Sequence, residues 1–128
     1  MKQQYKNSSN SNPIDIWYIY ANEVYQRVAL KDVLYFHSEK QAQYLHTTKQ
    51  LLKINVSSLD SVEMQLHECA FARIHSDYLV NMKHVHCFNF EDSCMYLRNG
   101  NVLPVDRKYS NRLLSKVFLF KSKAQLAK

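Results

Sequence analysis

Apolar and aromatic residues in this chain arrive in short runs, at residues 16–20, 24–29, 33–36, 43–47 and 51–54, with polar or turn-forming residues in each interval between them. Such runs match the span of a β-strand and fall short of an ordinary helix. Later runs at 71–75, 78–80, 84–90, 93–98 and 102–103 carry the same pattern through the second half. The predicted fold class is mainly β with short helices.

Two segments break the strand pattern. Ser57-Ser58 precede Leu59, Val62 and Leu66 at helical spacing, and Asp60 follows Ser57 as an approximate capping box, which predicts a short amphipathic helix over about 58–68. Asp106 reads as the N-cap of a final helix whose apolar stripe is Tyr109, Leu113, Val117 and Phe120, with Leu114 and Phe118 beside it and Lys108, Arg112 and Lys116 opposite. Asn99-Gly100 predicts a type I′ hairpin turn into Val102-Leu103, because both residues tolerate positive φ. Residues 1–13, rich in Asn and Ser, have too little apolar surface to offset ordering entropy and are read as a flexible polar leader. The domain is expected over 14–120, with a basic tail at 121–128.

Lys and Arg number 17 against 11 Asp and Glu, a formal charge of +6. That field favours acidic partners, nucleic acid ahead of an anionic membrane surface. The excess concentrates after residue 106, in Arg107, Lys108, Arg112, Lys116, Lys121, Lys123 and Lys128. Cys69, Cys87 and Cys94 are odd in number and sit in or beside apolar runs, as buried free thiols in a reducing compartment do. No apolar run approaches the roughly 20 residues of a membrane helix, so a cytoplasmic chain without membrane insertion is expected.

The chain holds one glycine, Gly100, so neither a P-loop nor a dinucleotide fingerprint can be built from it. Cys69 and His67 are the nearest thing to a nucleophile and base, and residues two apart on a helix do not face each other. No enzyme, cofactor or metal is therefore expected. His84 and His86, two apart on a predicted strand, share a face, but no metal-ligand motif supports them. Nine Tyr and six Phe are numerous enough for base stacking, although most alternate with polar residues as core positions do.

What remains are polar breaks on a β scaffold: residues 38–43, His75-Ser76-Asp77 within the apolar stretch 71–81, and Asp106-Arg107-Lys108. After Leu103-Pro104, two cations open a helix where the helix field prefers anions, which points to an external polyanion. Lys, Arg, Gln, Ser and His on such breaks suit phosphates and base edges.

Taken in order, Val33-Leu34-Tyr35-Phe36, the Ser58-Leu59 helix start, Phe71-Ala72-Arg73-Ile74-His75-Ser76-Asp77-Tyr78-Leu79-Val80-Asn81, and Asn99-Gly100 through Leu103-Pro104-Val105-Asp106-Arg107-Lys108-Tyr109 resemble the LytTR DNA-binding domain. That domain is the output module of LytR/AlgR-type bacterial response regulators. The resemblance implies an elongated, antiparallel β fold that reads double-stranded DNA with loops, and a second protomer on direct repeats about one helical turn apart. It implies base contacts at Gln43, Ser76 and Arg107, with Lys40, Gln41, His75, Lys108 and Arg112 supporting the backbone. Ser76 departs from relatives that carry Arg or Asn there, whereas Arg73, Tyr78 and Asn81 are read as structural. The family's usual phosphoacceptor domain has no counterpart in residues 1–13, so phosphorylation control within the chain is not expected; receiver-less relatives are often controlled by a membrane-bound inhibitor protein. Two rivals predict other behaviour: a metal-sensing or protein-interaction module working through His84, His86 and the aromatic opening, and a single-stranded RNA binder that stacks bases on tyrosines.

Overall fold

The computed structural model describes residues 14–120; the expected leader and tail lie outside the described residues. Among the described residues ten strands pair into three antiparallel sheets, accompanied by two short α-helices. Strands β1 (Ile16–Ala21) and β2 (Val24–Ala29) make a ribbon, and β3 (Val33–Glu39), β4 (Ala42–Thr47) and β5 (Leu51–Ile54) follow. Helix α1 (Leu59–Gln65) leads to β6 (Phe71–His75) and β7 (Tyr78–Asn81), and then come β8 (Val85–Asn89), β9 (Cys94–Leu97) and β10 (Val102–Pro104). A 3-10 turn, Arg107–Tyr109, leads into α2 (Ser110–Leu114).

The central sheet has five strands in the order β5-β4-β3-β7-β6. Strand periodicity gives it two buried faces. Phe36, Leu45, Leu52, Ile54, Phe71 and Leu79 point to one side, where Val28 of the ribbon and Leu59 and Val62 of α1 cover them. Trp17 packs there at 6.4 Å from the Phe36 ring and 5.9 Å from the Phe71 ring. Tyr35, Ala72, Ile74 and Val80 point to the other side, under Met95, Leu97 and Leu103 of the three-stranded sheet, Val105 just after it and Leu113 of α2. Asn81, buried where β7 ends, donates its Nδ2 to the Val33 carbonyl at 2.9 Å and ties the two central strands together.

Three local features differ from the sequence expectation. Ser58, not Ser57, caps α1, its Oγ accepting from the Ser61 N–H at 3.1 Å, and Asp60 turns to Arg73 instead of completing a capping box. Gly100 alone takes positive φ in the β9–β10 connection, and its N–H donates to the Leu97 carbonyl at 3.0 Å. The connection is thus a tight turn closed by a left-handed glycine, not type I′. The final helix stops at Leu114 rather than running to Phe120. Val117 is only half-buried, and Phe118 and Phe120 are 88% and 87% exposed, so the predicted stripe finds too little surface beyond Leu113 for tertiary packing to extend the helix.

Candidate nucleic-acid interface

Register fixes which turns are neighbours. His37 pairs with Tyr78 across β3–β7, and Glu39 pairs with Ala42 across β3–β4, so the β3–β4 and β6–β7 turns emerge at the same end of the central sheet. The Ser38 N–H donates to the Asp77 carbonyl at 2.9 Å and holds them side by side. The Asp106 N–H donates to the Ile74 carbonyl at 2.8 Å, which seats the Arg107–Tyr109 turn against the end of β6. Lys40, Gln41, His75, Ser76, Arg107 and Lys108 therefore share one end of the molecule.

Lys40 and Gln41 form the β3–β4 tip, both exposed, at φ +52° and +68°. This is the left-handed pair that a type I′ hairpin needs, built without glycine or asparagine. Ser76 and Asp77 are exposed at the next turn. The His75 ring is fixed because its Nδ1 accepts from the Asp77 N–H at 3.0 Å, leaving Nε2 to carry the proton of the neutral ring. Arg107 is exposed, touches the Phe90 carbonyl at 3.5 Å and lies 5.9 Å over the Phe90 ring, so most of its donor fork is open. Asp106 caps this turn by accepting from the Lys108 N–H at 3.0 Å.

Gln43 is a correction. Expected among the base-reading loops, it lies inside β4, paired with Ser38 and Ile54, on the same face as Leu45. It is 5% exposed and its Oε1 has no hydrogen-bond partner. A buried amide cannot reach a base edge in this conformation, so Gln43, Ser76 and Arg107 are not displayed together as a set. Gln41, two residues earlier at the tip, supplies an exposed amide instead.

Arg112 is exposed but engaged: its Nη1 donates to Glu63 Oε1 at 3.1 Å. Lys116, expected on the solvated helix face, donates its Nζ to the His67 and Cys69 carbonyls at 2.6 and 3.0 Å, closing the turn after α1. Behind the tips lies an aromatic tier, with His37 stacked on Tyr78 at 4.6 Å and His46 on Tyr35 at 4.2 Å. Burial, and then the neighbouring His37, push the His46 pKa down.

Other candidate sites lie apart. A cleft of about 700 Å³ at the opposite end of the sheet is lined by Asp15, Lys31, Cys69, Asn81, Lys83 and His84. His84 is in a 3-10 turn, not on a strand with His86, and its Nε2 lies 2.7 Å from the Lys31 carbonyl. Among the described residues no three His, Cys, Asp or Glu side chains gather as a metal site, and no helix is long and apolar enough to cross a membrane.

Fold and site define a class: an antiparallel β domain that presents basic, amide and hydroxyl side chains from turns at one sheet end, with no long helix among the described residues to lay in a groove. The chain belongs to the LytTR family, since the family model for the LytTr DNA-binding domain matches residues 22–117. That domain binds DNA in transcription regulation and is not an enzymatic module. A solved LytTr DNA-binding domain of a response regulator from Bacillus cereus has the same fold, with TM-score 0.69 and 19% identity over 81% of this chain and 97% of that one. No curated protein matches the chain.

Proposed function

We propose that this chain is a bacterial, cytoplasmic, non-enzymatic transcription regulator that binds double-stranded DNA in a sequence-specific manner and reads direct repeats as paired protomers. The carrying observation is the convergence of three turns, at Lys40-Gln41, His75-Ser76-Asp77 and Arg107-Lys108, on one end of a doubly covered sheet. Strand ends anchored on two cores hold such tips more rigidly than free loops would. Arg107 is the principal base reader, because its fork matches guanine O6 and N7. Gln41 offers an exposed amide for adenine, and Ser76 a hydroxyl for either groove edge. Lys40, Lys108 and His75 meet the backbone and set affinity more than selectivity. Arg112 joins them only by loosening its pair with Glu63.

Titration against a duplex selected from a random pool, at fixed salt, tests this. Arg107→Ala is expected to cost about 1 to 3 kcal/mol on the selected duplex, while Lys108→Ala weakens all duplexes similarly and lowers the salt slope by about 1. Equal binding by wild type and Arg107→Ala refutes the assignment. Preference for single-stranded RNA over duplex in direct competition favours the stacking rival, and stoichiometric metal in the purified protein favours the sensing one.

A further inference from the structure

Arg73 is a charged side chain only 7% exposed, and four hydrogen bonds leave it little capacity for an outside ligand. Its Nε donates to the His75 carbonyl at 3.0 Å and its Nη2 to the Ser76 carbonyl at 2.7 Å. Its Nη1 donates to Asp60 Oδ1 and Glu63 Oε1 of α1, both at 2.7 Å. The guanidinium carbon stands 5.8 Å from the Tyr109 ring, which also carries Arg112 at 5.1 Å on the turn that displays Arg107. Register slips between Arg73 and His75, so the strand bulges where the fork grips its carbonyls.

We infer that Arg73 is a positioning residue for DNA discrimination: it fixes the Ser76 turn against α1 and against the turn that carries Arg107. The inference rests on the reading proposed above. A buried ion pair is a weak way to stabilise a fold, since well-packed apolar side chains of similar volume often do as well or better. An apolar side chain cannot hold two successive carbonyls of a turn, and a lysine ammonium cannot span them as a planar fork does. The geometry therefore serves the shape of the turn. Its charge is matched by Asp60 and Glu63, so Arg73 adds little to non-specific attraction for phosphates.

The test compares wild type, Arg73→Lys and Asp60→Asn on two probes, the duplex selected by wild type and a scrambled duplex of equal composition, at one salt concentration. Asp60 is 80% exposed, so its variant removes one anchor of the clamp with little risk to folding. Arg73→Lys is expected to lower the ratio of selected to scrambled affinity by about tenfold, with scrambled binding held within about twofold. Asp60→Asn lowers the ratio in the same direction by less. In the double variant Arg73→Lys/Ser76→Ala the loss is no greater than for Arg73→Lys alone, because the clamp acts through that turn. Amide exchange at residues 75–77 of the free protein rises in both single variants. Unchanged ratios in folded Arg73→Lys overturn the inference, as does a fall in both affinities proportional to lost folded fraction. Where Arg73→Lys does not fold, an unchanged ratio in Asp60→Asn overturns it. A wild type with no duplex preference refutes the proposed function itself, and the positioning role with it; loss of preference confined to the variants leaves that function standing.

Discussion

Replacing Lys40-Gln41 by Asn-Gly separates the cost of the β3–β4 tip from its use. Both residues sit at left-handed φ, +52° and +68°, where an L side chain crowds the following carbonyl by roughly 1–2 kcal/mol per residue. Asparagine and glycine relieve most of that strain, while the freedom glycine adds to the unfolded chain returns about 0.5–1 kcal/mol. A net gain of about 1–2 kcal/mol follows, a rise in Tm of roughly 5–10 °C for a domain of this size. The same variant loses one cation and one exposed amide, so affinity for the selected duplex falls by about 1–3 kcal/mol and the salt slope drops by about 1. The control is Glu23→Gly in the β1–β2 tip, where Asn22 and Glu23 take φ +57° and +68° on a separate two-stranded ribbon that supplies none of the three turns. It is expected to stabilise the fold without changing DNA binding. Calorimetry and fluorescence titration read both effects. A variant as stable as wild type refutes the strain argument, and one that is stabilised yet binds the selected duplex unchanged refutes the role of the tip.

Other outcomes follow from the packing and the titrating groups. Leu113→Ala, at a side chain with no exposure that joins α2 to the second core, is expected to destabilise by about 2–5 kcal/mol in denaturant unfolding. Phe118→Ser with Phe120→Ser leaves Tm unchanged, because neither ring is buried; a clear drop contradicts the observed end of α2. His46 has a pKa below its ordinary 6.5, so the unfolded state takes up its proton first. Its contribution is whole above about pH 6.5 and fades as pH falls. His46→Phe is expected to flatten the loss of stability as pH falls below about 6.5, and unchanged acid sensitivity counts against it.

Strand positions were legible because each run has the length and spacing of a strand; Val24–Ala29, Leu51–Ile54 and Phe71–His75 have the bounds the sequence indicates. Gln43 was misplaced although parity along β4 carries the answer: it is two residues from Leu45, and residues at that interval share a face. Helix periodicity after Leu113 was genuine but idle, since a stripe becomes helix only where something packs on it. Arg73 looked like a strand residue of structural use only. Its partners, Asp60 and Glu63, lie three apart on a helix and so share a face, yet nothing local shows that this face meets β6. The left-handed pair at Lys40-Gln41 was hidden because neither residue type announces that conformation.

The most direct measurement is backbone amide NMR of the chain titrated with its selected duplex. Shifts concentrated at residues 40–41, 75–77 and 107–108, with the β1–β2 ribbon silent, are the predicted result. Shifts centred instead on the exposed Tyr18, Tyr20 and Tyr25 of that ribbon contradict the placement of the DNA surface.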